Sequence, residues 1–206
     1  MISKGVLPLN TVFFRRTRRL VRALPSLSCL VLLFYYFSPT AAIASLFAIL
    51  LHEVGHAAVY FAVTHTPPRF SFQSGGLCLS GAALDGKAEL LYIAAGILAN
   101  CVTALFSPFV GLLFGDAAAR LFFAYSLLYA AFNLLPSPPL DGEKLLSRIL
   151  AHAVGEARAT RALRILSFLT AYTLLLLSLF LSLGNGSCFY GVFLALRLLY
   201  AIFYTS

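Results

Sequence analysis

The apolar positions of this chain run in long unbroken stretches rather than in the alternating or one-faced patterns of a soluble fold. Six such stretches fall at about 20–37, 41–62, 90–113, 118–135, 163–183 and 187–205. Each is close to the ~20 residues that an α-helix needs to cross a bilayer. Ser38-Pro39-Thr40, Gly115-Asp116 and Gly184-Asn185-Gly186 interrupt the run with the chemistry of turns between antiparallel helices. The pattern predicts an all-α multi-pass membrane protein of about six transmembrane helices, forming a single domain over 1–206.

Two segments break this rhythm. From Arg69 to Ser80 polar and apolar residues alternate around Gly75-Gly76, which predicts a short β-hairpin or extended loop between helices 2 and 3. An inert surface loop is the competing reading. Over 142–161, Glu143, Lys144, Arg148, Glu156, Arg158 and Arg161 are interspersed with apolar residues, the pattern of an amphipathic helix lying on the membrane surface. The stretch 163–205 is Leu-rich, carries no acidic residue and reads as two scaffold helices.

Composition sharpens the class. Of 206 residues, 61% are hydrophobic and 11% charged, and the mean hydropathy is +0.92. A soluble domain is roughly half apolar and a quarter charged. The net charge of +8 would fit a nucleic-acid binder, but the basic residues form neither a groove nor a helical stripe. They flank the apolar stretches instead. With six crossings, one side receives Lys4, Arg15, Arg16, Arg18, Arg19, Arg22, Arg69, Lys87, Lys144, Arg148, Arg158, Arg161 and Arg164. The other receives only Arg120, while Arg197 lies inside the last stretch. That bias places both termini and the richer loops in the cytoplasm. A single bent helix over 20–62 would move the later loops across and erase the bias. The arginine run, the following apolar core and Ala41-Ala42-Ile43-Ala44 also have the make-up of a cleavable signal peptide. The direct continuation into the next stretch favours a retained helix. Cys29, Cys78, Cys101 and Cys188 are scattered without a Cys-x-x-Cys pair and read as small apolar fillers.

Chemistry concentrates in the second stretch, at Leu51-His52-Glu53-Val54-Gly55-His56. A spacing of four puts both imidazoles on one helix face, where they can share a metal. Glu53 lies about 100° round the helix, suited to accept a proton from water rather than to ligate. In such His-Glu-x-x-His sites zinc lowers the pKa of water. A carboxylate in a transmembrane segment costs several kcal/mol unless paired or hydrated, which marks Glu53 as functional; a hydrogen-bonded Glu–His packing cluster is the bland alternative. A catalytic zinc normally takes three protein ligands. His65 and His152 fall in predicted loops. Asp141 is the better third donor, because Pro136, Pro138 and Pro139 stop the fourth helix and hold an extended segment that ends at Asp141-Gly142. Extended backbone at membrane depth is tolerated only within protein or beside a watery cavity.

His52-Glu53-Val54-Gly55-His56 together with Asn133-Leu134-Leu135-Pro136-Ser137-Pro138-Pro139-Leu140-Asp141-Gly142 resembles the site-2 protease family of intramembrane zinc metalloproteases. The resemblance covers roughly 40–145, and the absence of an inserted PDZ domain is similar to the compact sporulation-type branch. It implies zinc (Zn2+) on His52, His56 and Asp141, with Glu53 as general base and proton shuttle. Gly96-Ile97-Leu98-Ala99-Asn100 resembles the family's Gly-x-x-x-Asn motif, with Ile97 where many members carry Pro. The resemblance implies contacts to the substrate or its oxyanion from Asn100 and Asn133. A small-residue helix contact at Gly96 with a hydrogen-bonded Asn is the competing reading. The implied partner is a membrane-tethered protein, such as a sigma-factor precursor or anti-sigma factor in a bacterial cytoplasmic membrane. A metal transporter or a catalytically inactive scaffold are the alternatives. Transport predicts ligands along a path across the membrane, with an internal repeat, and neither is seen here.

Overall fold

The computed structural model describes residues 28, 31–73, 76–80, 84–184 and 189–204, and residues 70–73 and 76–80 by their backbone alone. The arginine run, most of the first apolar stretch, the Ser74-Gly75 link and the Asn185-Gly186 break lie outside the described residues.

After a helical stretch over 31–36, α1 spans Pro39–Thr64. Ser38 starts it, its Oγ accepting from the Ala41 N–H at 3.3 Å, and Pro39 sits in the first turn, where no N–H is needed. It ends at His65 in the left-handed region (φ 53°), whose N–H returns to the Phe61 carbonyl. Strands β1 (Arg69–Gln73) and β2 (Gly76–Ser80) pair antiparallel, with Arg69 opposite Ser80 and Gln73 opposite Gly76.

Five further helices, α2 to α6, follow over Gly86–Leu105, Ser107–Phe114, Asp116–Asn133, Asp141–Val154 and Glu156–Ser182. The last, α7, spans Phe189–Tyr204. Two expectations are corrected here. The stretch 90–113 is not one helix: it divides at Phe106, because Pro108 lacks the N–H needed to continue α2 and instead occupies the first turn of α3. The amphipathic segment 142–161 is also divided. Gly155, at φ 84°, ends α5 and starts α6, which absorbs the remaining residues.

Helices α1, α2 and α6 are long and apolar enough to cross a membrane, and α7 is a shorter apolar helix. Helices α1, α2 and α4 pack on one another and form the core; α3 lies against α4, α5 against α6, and α6 pairs with α7. The interior is rich in small and polar residues: Ala42, Ala48, Ala95, Gly96, Asn100 and Ser126 are buried, beside Ile93 and Ile97. The outside is large and apolar, with Phe47, Leu50, Val54, Leu98 and Val102 exposed. Small interior residues with Leu and Phe outside are the distribution of a protein solvated by lipid. Helices α1 and α2 touch at Gly55, where a Cβ would sit 2.6 Å from the Ala95 carbonyl oxygen and from the Ala99 methyl. A second cluster, Leu140, Ala171, Leu198 and Ile202, ties the α6–α7 pair to the segment between α4 and α5.

Candidate metal centre

The centre is assembled from two places 85 or more residues apart in sequence. Helix α1 supplies His52 and His56, which are 2% and 5% exposed. One helical turn separates them, so both rings project from the same face, with centroids 4.7 Å apart and planes at 84°. Asp141, 5% exposed, arrives as the first residue of α5.

Its delivery depends on the proline segment. Helix α4 ends at Asn133 with Leu134 as its cap, and the chain then folds tightly: the Ser137 N–H reaches the Leu135 carbonyl and the Leu140 N–H reaches the Ser137 carbonyl. The Pro138–Pro139 bond is cis. Ser167 Oγ, from α6, donates to the Pro136 carbonyl at 2.7 Å and pins the segment from outside. At the next residue after Asp141 a side chain is impossible. A Cβ on Gly142 would overlap the Leu134 backbone, so α5 starts flush against the end of α4.

The three side chains then converge. Asp141 Oδ2 lies 3.0 Å from His52 Nε2 and 2.8 Å from His56 Nε2, and the two Nε2 atoms are 3.2 Å apart. Bonds of about 2.0–2.2 Å in a tetrahedral zinc site put neighbouring donors about 3.3 Å apart. The triangle is slightly tighter than that. Two imidazole nitrogens and one carboxylate oxygen, all buried and within reach of one point, are a donor set that would suit a divalent ion.

The surroundings orient the donors. The Nδ1–H of His56 donates to the Tyr92 carbonyl at 2.7 Å, which directs its Nε2 lone pair into the triangle. Lys144 Nζ donates to Asp141 Oδ1 at 2.8 Å, leaving Oδ2 for the histidines. Asp141 therefore faces the Lys144 ammonium with one carboxylate oxygen and the two imidazoles with the other. The edge of Tyr129 closes on His52 at 5.1 Å between centroids.

Gly96 is the wall opposite. A Cβ there would collide with His56 Nε2 and stand 2.7 Å from His52 Nε2. The competing reading of the Gly-x-x-x-Asn match made Gly96 a helix contact, whereas it borders the donor triangle itself. The Gly-x-x-x-Asn spacing was the available signal. Lys144 and Tyr129 were not anticipated as neighbours of the site, and the Tyr92 carbonyl, a backbone group, left no signal to find.

The remaining predicted residues are placed as follows. Glu53 is half-buried beside His52 on α1. Asn100 is fully buried one turn beyond Gly96, and neither end of its amide is hydrogen-bonded among the described residues. Asn133 is buried at the end of α4 and donates to the Tyr129 carbonyl at 3.0 Å. His65 and His152 are exposed and away from the triangle, His152 within α5 rather than in a loop. Cys101 is free and exposed on α2 rather than filling the interior.

No protein-family model matches the chain, and no curated protein matches it. Among solved structures, the site-2 protease from Methanocaldococcus jannaschii is similar, with a TM-score of 0.59 at 20% identity, over 81% of this chain and 77% of that one. A match of this extent at low identity establishes architecture, and it falls on the same family that the His-Glu-x-x-His and proline–aspartate motifs resemble. This chain is built on the site-2 protease fold.

Proposed function

We propose that this protein is an intramembrane zinc metalloprotease of the site-2 family, which hydrolyses a peptide bond in or next to a transmembrane segment of a membrane-tethered protein. The observation that carries the proposal is the buried triangle of His52, His56 and Asp141 inside a bundle whose outer surface is apolar. A structural role would not require two imidazoles and a distant carboxylate to meet on one point.

Zinc is the metal that suits this donor set, with His52, His56 and Asp141 as its protein ligands. When bound, it supplies Lewis-acid polarisation and a nucleophilic water at neutral pH. The chain's own residues supply the rest. Glu53 takes the proton of the attacking water at its carboxylate and passes it to the amide nitrogen as the C–N bond breaks. The side-chain amide of Asn100 faces the core with its hydrogen-bonding capacity unspent, which suits a donor to the substrate carbonyl. Asn133 is assigned a second substrate contact; it is bonded to Tyr129, whose ring meets His52. A substrate helix must unwind before attack, and the β1–β2 pair offers an edge on which it can be held extended.

The compact form without a PDZ insertion points to the sporulation-type branch. Six crossings, both termini in the cytoplasm of a bacterial membrane and a sigma-factor precursor or anti-sigma factor as substrate complete the reading. The test is cleavage of a tethered candidate substrate by purified protein, with and without a zinc chelator. Only metal-loaded wild type should cut. Equal cleavage by Glu53→Gln would remove the proposed base, and metal flux through vesicles without cleavage would favour a transporter.

A further inference from the structure

Away from the metal centre, two pockets meet at Arg164 and Ile202, where α6 and α7 run side by side. They differ in character. The first, of about 420 Å³, is an apolar groove along Ile165, Phe168, Leu169 and Phe203. The second, of about 320 Å³, lies between α5 and α6 and carries polar groups from Glu143, Ser147, Thr160 and Ser167 beside Arg164. Both are open depressions rather than enclosed cavities, and they share Arg164 and Ile202. A depression of mixed polarity beside an apolar one matches the two halves of an amphiphile.

Charge selects which amphiphile. Arg164 and Glu143 are the basic and the acidic residue that line the second pocket. Among the described residues neither forms an ion pair. Arg binds phosphate through paired N–H donors. A carboxylate in the same pocket disfavours a second anionic group and accepts hydrogen bonds from an ammonium. We propose that this is a binding site for a zwitterionic phospholipid with a primary-amine headgroup, phosphatidylethanolamine in type. Its phosphate sits on Arg164, its ammonium on Glu143 and one acyl chain in the Phe168 groove. Pro138 forms part of the pocket wall, so the lipid lies directly against the segment that carries Asp141. The site is independent of the peptidase reading and stands or falls without it.

The test uses the full-length protein, delipidated in detergent and offered phosphatidylethanolamine, phosphatidylglycerol or phosphatidylcholine of identical acyl chains. Retained lipid is counted by native mass spectrometry. Wild type should hold about one phosphatidylethanolamine, at least ~10-fold in preference to either other lipid. The choline headgroup keeps the charge but cannot donate a hydrogen bond, so its weaker retention isolates the contact to Glu143. Arg164→Gln should lose retention of all three. Glu143→Gln should keep phospholipid but lose the preference for the amine. Glycerophosphoethanolamine, which has the headgroup without acyl chains, should not displace the lipid at equal concentration. Equal retention of the three lipids by wild type, a preference for phosphatidylglycerol, or full displacement by the soluble headgroup would each overturn the assignment. The wild-type series needs no variant to fold.

Discussion

At the centre of the molecule two imidazoles and one carboxylate crowd within 2.8–3.2 Å of each other, and the residues around them divide into those that donate and those that make room. Glu53 belongs to neither set. Replacing it with Gln leaves the triangle untouched, so zinc content, read by elemental analysis, should equal that of wild type. Cleavage should fall about 10²–10⁴-fold, the usual contribution of a general base. Asp141→Ala removes a donor from a buried site and should release the metal as well as the activity. Gly96→Val is the steric counterpart. Its side chain occupies space now held by both Nε2 atoms, and zinc stoichiometry should drop although no ligand has changed. The donors were legible in the sequence because His-x-x-x-His and Pro-Pro-Leu-Asp-Gly each carry their own local geometry. The role of Gly96 was not, because a glycine's use lies in what approaches it. The Tyr92 carbonyl is less legible still, since every residue in a helix has one.

At the scale of elements, breaks matter more than spans. Pro108 divides the third apolar stretch and Gly155 divides the amphipathic one. Both breakers are visible in the sequence, but hydropathy averaged over a window passes across them. Alternation around two glycines left a hairpin, an extended loop and an inert loop all open; the pairing of the two strands, with Phe70 opposite Leu79, is set by the fold. The proline segment is the element on which the centre depends, and Ser167 is its outer restraint. Ser167→Ala leaves the Pro136 carbonyl without this donor. Losing a partner to a buried polar group costs about 1–3 kcal/mol. The variant should therefore melt earlier than wild type in the same detergent, and the shift should persist in metal-free protein.

For the whole molecule, the outward face is rich in Leu, Phe and Val, while the inward face mixes Ala, Ser and Asn with Ile and Leu, so far more apolar surface is exposed than a soluble globule carries. Membrane residence was readable from composition; which residues turn inward was not. The orientation proposed from the lysines and arginines has a direct check. In a cysteine-free background, single cysteines at Lys87 and His152 should react with a membrane-impermeant reagent only from the cytoplasmic side. One at Asp116 should react only from the opposite side. The reverse pattern would invert the topology without disturbing the metal centre.

The bond from Ser167 to the Pro136 carbonyl has a wider meaning for how the chain can be shortened. Among the described residues α6 and α7 contribute nothing to the donor triangle, and a minimal fragment ending near Val154 would retain all three donors and Glu53, the proposed proton carrier. Such a fragment would nevertheless lack the brace on the Pro136–Leu140 segment and the Leu198 and Ile202 packing beneath Leu140. Its Asp141 would swing, and its hold on zinc would weaken most at limiting metal. Truncation would thus look like a mutation of the centre made from a distance, and excess zinc would partly reverse it.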